Sequence, residues 1–128
     1  MLKIRPGINI QAPISELIAN GVKTIETRTY EIPSDYLNRE IYLIETPGKS
    51  GKFKARAIAI IRFTNCFKYK NKAAFRKDFP RHRVDIGSVW DWNEKAKWGW
   101  EVELIKAIPS KIVTSKRGIV FTKQISFD

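Results

Sequence analysis

The chain has 128 residues, 43% of them hydrophobic and 29% charged, and a formal net charge of +11. That length and apolar share fit one globular domain over residues 1–128, and no stretch approaches the ~18 consecutive apolar residues of a membrane-crossing helix. A single cysteine, Cys66, and a single histidine, His82, exclude an internal disulfide and a zinc site, and no acidic cluster suggests another metal or a cofactor.

The segment Met1 to Arg5 lacks the apolar core of a signal peptide, and the lone cysteine agrees with a reducing cytoplasm. A basic excess this large at this size points to a polyanionic partner, nucleic acid before membrane.

Leu2 to Arg5 reads as a short strand and Gly7 to Gln11 as a turn. Ile14, Leu17 and Ile18 then fall at the i, i+3, i+4 spacing of a helical apolar stripe. Pro13 suits the first turn of that helix, and Gly21 suits the left-handed residue that ends it. Residues 24–30 alternate as a strand, with Ile25 and Thr27 on one face and Thr24, Glu26, Arg28 and Tyr30 on the other. Lys23 at the helix exit and the Glu26/Arg28 pair on the strand therefore converge on one region, with Lys23 expected at a wet cleft mouth. Two charges on an exposed strand face could equally neutralise each other in water and contribute little.

Pro33-Ser34-Asp35 is a turn and Ile41 to Thr46 a strand. Residues 47–51 form a loop. Its Gly48-Lys49-Ser50 lacks the leading glycine, spacer and following helix of a phosphate-binding loop. Residues 53–63 alternate again, with Phe53, Ala55, Ala57, Ala59, Ile61 and Phe63 on one face and Lys54, Arg56 and Arg62 on the other; the small alanines suit a curved strand of a closed barrel.

Residues 64–83 hold a basic cluster of Lys68, Lys70, Lys72, Arg76, Lys77, Arg81 and Arg83, opposed within it by Asp78. Such clustering fits a phosphate-backbone surface. Lys72 to Phe79 reads as one or two helical turns stopped by Pro80, with Phe75 and Phe79 in the core. His82, between two arginines, is no catalytic candidate. All four tryptophans fall within residues 84–100. Trp98, Trp100, Val102 and Leu104 share one face of a strand over Trp98 to Ile108, which puts Trp100 in the core. Trp90 and Trp98, nearer loops, are the candidates for stacking on a base. The tail has two short strand-like runs separated by Lys116-Arg117-Gly118.

Taken with Ile14 to Asn20 before it and Tyr30 to Pro33 after it, the stretch GVKTIETRTYEIP closely resembles the signature of the ASCH domain family, a branch of the PUA-like β-barrels. Ile41 to Ile44, Trp98-Gly99-Trp100 and Arg117 to Phe121 resemble its later landmarks, so the resemblance spans roughly residues 3–121. It implies an α+β, β-rich fold: a single PUA-like mixed barrel of five or six strands with two or three short helices. It also implies a nucleotide-sized cleft beside the first helix, lined by Lys23, Thr24, Glu26 and Arg28, to which Tyr30 and Trp98 are added as ligand-binding candidates.

The function this implies is nucleic-acid binding, to single-stranded or structured RNA, with a nucleoside-like small ligand also conceivable in the cleft. The alternative is an enzyme. Some ASCH-like proteins are amidohydrolases that deacylate a modified cytidine nucleoside, and ribonuclease activity is associated with the family. In the amidohydrolases a lysine acts with a threonine three positions later and a distant glutamate. Here Glu26 occupies the threonine position, so Lys23 and Glu26 are the catalytic candidates only in that reading. The distant glutamate stays open among Glu45, Glu94 and Glu101.

Overall fold

The structure, a computed structural model, describes residues 3–48, 51–114, 116 and 118–127; Leu2, Lys49, Ser50 and Arg117 of the segments discussed above lie outside them. The strands are β1 (Gly7–Gln11), β2 (Ile25–Arg28), β3 (Glu40–Thr46), β4 (Arg56–Lys68), β5 (Trp98–Thr114), β6 (Phe121–Thr122) and β7 (Ser126–Phe127). The helices are α1 (Ile14–Ala19), α2 (Lys72–Lys77) and α3 (Phe79–His82), and a single 3-10 turn covers Ser34–Tyr36.

The strands form one sheet in the order β2-β5-β4-β3-β1-β6, with β7 paired to β5. β1 and β3 are parallel and the other ladders antiparallel. A parallel pair needs a crossover, and α1 lies within it. The register between β4 and β5 shifts at three places. Such bulges bend and twist a strand, and they let these two long strands curl the sheet around the core. This is the β-rich mixed architecture expected, with one difference. Among the described residues no ladder joins β2 to β6. Side chains close that gap instead: Trp100 stacks on Phe121 at 5.9 Å between ring centroids, and Phe121 stacks on Tyr36 at 4.0 Å.

Inside the curl, Ile8, Ile18, Leu43, Ile61, Phe63 and Trp100 are buried. A second cluster on the far side includes Tyr42, Ile44, Ala57 and Val113, and a third, under α2 and α3, is Tyr69, Phe75 and Val84.

Several expectations are corrected. Gly7 to Gln11 is a strand rather than a turn, and residues 3–6 carry none. Ile8 and Ile10 are buried against β3, and Gly7 lies in a packed contact, where a Cβ would come within 2.8 Å of the end of the Ile125 side chain. The strand expected over 53–63 starts at Arg56 and runs to Lys68, and the one expected to end at Ile108 continues to Thr114. The latter absorbs the first run of the tail. Pro80 does not stop a helix; it sits in the first turn of α3, where a missing N–H costs nothing. Phe75 is fully buried, but Phe79 is 37% exposed and not core.

Candidate functional site

α1 ends at Ala19 with Asn20 as its C-cap, and Gly21 follows at φ +74°, the left-handed conformation that glycine adopts without steric cost. The chain turns there, and the backbone N–H of Lys23 donates to the Leu17 carbonyl at 3.0 Å. This directs the Lys23 side chain inward. It is 4% exposed, not wet at a mouth as expected, and its Nζ donates to the backbone carbonyl of His82. Glu26 Oε1 lies 3.7 Å from the same Nζ, and Glu26 Oε2 accepts from Arg28 at 3.0 Å. Glu26 is itself buried, so the three charges form an enclosed chain rather than a solvated strand face. Burial pushes the Lys23 amine below its ordinary value, while Glu26 acts in the opposite direction. The Arg28 guanidinium lies over the Trp100 ring, 5.7 Å from its centroid.

His82 is locked by the same arrangement. Its Nδ1 accepts from the Val84 N–H at 2.9 Å, which leaves Nε2 to donate to the Phe75 carbonyl at 2.6 Å. Both ring nitrogens are committed to the neutral form, and burial pushes the ring's pKa down. Phe75 stacks on the ring at 4.3 Å.

Lys23, Glu26 and Arg28 form part of the wall of a cavity of about 990 Å³. Gln11, Ile14 and Leu17 line it from the β1–α1 side, Phe53 from the approach to β4, and Arg83 and Trp90 from the segment after α3. Arg83 adopts φ +57°, an uncommon conformation for a side chain of its size. Trp90 is 45% exposed, and the loop that carries it is braced at two points. The Trp90 carbonyl accepts from the buried Lys97 Nζ at 3.0 Å. Asp91 accepts from the Gly87 and Trp92 N–H groups and from Arg76, and these bonds hold its carboxyl well below the usual carboxylate range. Among the described residues four buried polar atoms have no hydrogen-bond partner, Arg28 Nε and Ser88 Oγ on cavity-lining residues and Arg62 Nε and Arg76 Nε elsewhere.

Of the residues singled out from sequence, Lys23, Glu26 and Arg28 meet at this cavity; Thr24, Tyr30 and Trp98 are not among its lining residues. Thr24 is exposed and tied through its backbone to Arg81 and Val102; Tyr30 sits edge-on to Trp100; Trp98 pairs opposite Arg28 and Lys68. The basic cluster divides. Arg83 lines the cavity, whereas Lys68, Lys70, Lys77 and Arg81 line a separate shallow hollow. Arg76 is taken up by Asp91, and Lys72 is exposed at the start of α2. Of the three glutamates left open, Glu45 is buried between Ser15 and Arg56, Glu101 pairs with Arg81, and Glu94 is exposed; none lines the cavity. Phe53, Gln11 and Ser88 carried no sequence signal of a site, because the contacts that assemble the cavity come from at least five separate stretches of chain between Asn9 and Val120.

The architecture has a counterpart among solved structures. The crystal structure of a mutant of ZmASCH, from Zymomonas mobilis, superposes with a TM-score of 0.66 at 12% sequence identity, covering 92% of this chain and 88% of that one. The chain has the ASCH-domain fold. The likeness is one of fold, and in it the GVKTIETR stretch marks the junction of α1 and β2 beside the cavity. No family model and no curated protein matches the sequence. Among the described residues, no helix of this ASCH-fold domain is long and apolar enough to cross a membrane, and no three His, Cys, Asp or Glu side chains are grouped to hold a metal ion.

Proposed function

We propose that the domain binds RNA in the cytoplasm, taking one unstacked nucleotide of a single strand or loop into the Lys23–Glu26–Arg28 cavity. The observation that carries this reading is a cavity of nucleotide size whose wall bears the Lys23–Glu26–Arg28 charges, Arg83 and a half-exposed tryptophan. A volume of about 990 Å³ suits a ligand of nucleotide size. Arg28 offers a planar donor fork to a phosphate or carbonyl edge, and Glu26 keeps acceptor capacity for an exocyclic amine. Trp90 gives a base a face to stack on, a contact worth ~1–3 kcal/mol. The net charge of +11 supplies the sequence-independent attraction.

The test is titration of single-stranded RNA into the parent, Arg28→Ala and Trp90→Ala. Each substitution is expected to weaken binding by tenfold or more, about 1.4 kcal/mol. Parental affinity in both variants would remove the cavity from the binding surface.

A second reading, hydrolysis of a modified nucleoside or of RNA in the same cavity, is favoured by one observation. Lys23 is buried with its pKa lowered, beside a carboxylate, which suits a proton-transfer role. In that reading Lys23 and Glu26 would exchange the protons. Release of acetate from N4-acetylcytidine, or cleavage of RNA, that disappears in Lys23→Met would put this reading first.

A further inference from the structure

The last turn of α3 separates two openings. Arg83, just after it, lines the cavity, and Arg81, inside it, lines the hollow of about 440 Å³. Two residues of chain separate the two Cα atoms by at most ~7 Å, so the openings are neighbours. The hollow is lined by Phe67, Lys68, Tyr69, Lys70, Lys77 and Arg81 around Asp78.

Its electrostatics are one-sided. Asp78 is already neutralised, accepting from Tyr69 Oη and from Arg81. Burial alone would raise its pKa, yet these hydrogen bonds hold it below the ordinary value. Lys68, Lys70 and Lys77 are exposed and form no ion pair among the described residues. Its aromatic side is also fixed. Phe67 packs edge-on to Tyr69 at 4.8 Å and lies over Gly99, where a Cβ would come within 2.7 Å of its ring, and the Arg81 guanidinium sits over the ring at 5.8 Å from its centroid. The glycine thus allows the ring to lie close against β5.

We propose that the hollow is a second subsite for the same single strand. Lys68, Lys70 and Lys77 hold the phosphodiester that follows the nucleotide in the cavity, and the next base stacks on the Arg81 guanidinium that lies over Phe67. This rests on the nucleotide reading of the cavity. The ligand class it implies is single-stranded RNA of at least two nucleotides, with α3 as the divider the backbone crosses.

The test compares uridine monophosphate with hexauridylate on the parent, on the triple variant K68Q/K70Q/K77Q and on Arg28→Ala, at several salt concentrations. All three lysines are exposed, so the triple variant should melt as the parent does. It is expected to bind the mononucleotide with parental affinity and to lose the tighter binding of the hexamer. Its slope of log K against log salt should be smaller by about 0.7, for the one phosphate that the three lysines neutralise. Parental hexamer affinity and slope in the triple variant would overturn the second subsite and leave the cavity standing. A parent that does not bind the mononucleotide, or an Arg28→Ala variant that binds it unchanged, would overturn the cavity reading and this inference with it.

Discussion

Lys23 Nζ donates to the backbone carbonyl of His82, 59 residues further along the chain. That bond ties the α1–β2 junction to the end of α3, and so it joins the two walls between which the cavity opens. Glu26 supports the same ammonium and also holds Arg28. The motif therefore acts as a strut before it acts as a binding surface.

Glu26→Ala removes the carboxylate shared by two cations in an enclosed site. Breaking a buried pair in this way costs about 3 kcal/mol or more, and denaturant unfolding should show it. Glu26→Gln, which keeps an acceptor for Arg28, should lose less. Parental stability in Glu26→Ala would mean that the chain of charges is solvated.

The lowered Lys23 pKa has a defined sign in stability. Between the folded value and the ordinary 10.5 the unfolded chain binds more protons, so stability rises with pH across that window. The parent should therefore gain stability relative to Lys23→Met as pH approaches 10.5 from below. A constant difference between the two proteins would contradict the burial of a charged amine.

His82 is the only histidine, so its ring resonances can be followed without ambiguity. They should report the Nε2–H tautomer and remain those of the neutral ring below pH 6.5, the ordinary value. Because the folded pKa is depressed, the stability that this residue contributes is present above 6.5 and is lost as pH falls toward the folded value. Titration at 6.5 or above would refute the locked tautomer.

Phe75 is fully buried between His82, Tyr69 and Trp92. Phe75→Ala should cost ~3–5 kcal/mol and, by loosening α3, weaken nucleotide binding as well. Unfolding and binding measured on one preparation check both effects; a stability loss without any change in binding would detach α3 from the cavity.

Much of this molecule is legible in the sequence where the physics is local. The spacing of Ile14, Leu17 and Ile18 with Gly21 behind them marks α1 and its turn, and the apolar run from Ile41 and the alternation through Trp98 to Leu104 mark two strands. Where a residue type has two uses, local reading chose wrongly. Gly7 looked like a turn residue but is a contact residue, and Pro80 looked like a stop but opens a helix. The burial of Lys23 had no local signal, because its acceptor is a backbone carbonyl supplied by α3. For the same reason the basic cluster read as one surface. Only the fold shows that Arg76 is tied to Asp91 and that α3 parts Arg83 from the lysines.

The most direct measurement of the central claim is an NMR titration of the isotopically labelled protein with uridine monophosphate. The account predicts that the largest shifts fall on the Arg28 side-chain Nε–H, the Trp90 indole N–H and the backbone amides of Arg83 and Ser88, with Trp98 and Tyr30 little changed. Shifts centred on Trp98 and Tyr30, or no saturable shift at all, would contradict it.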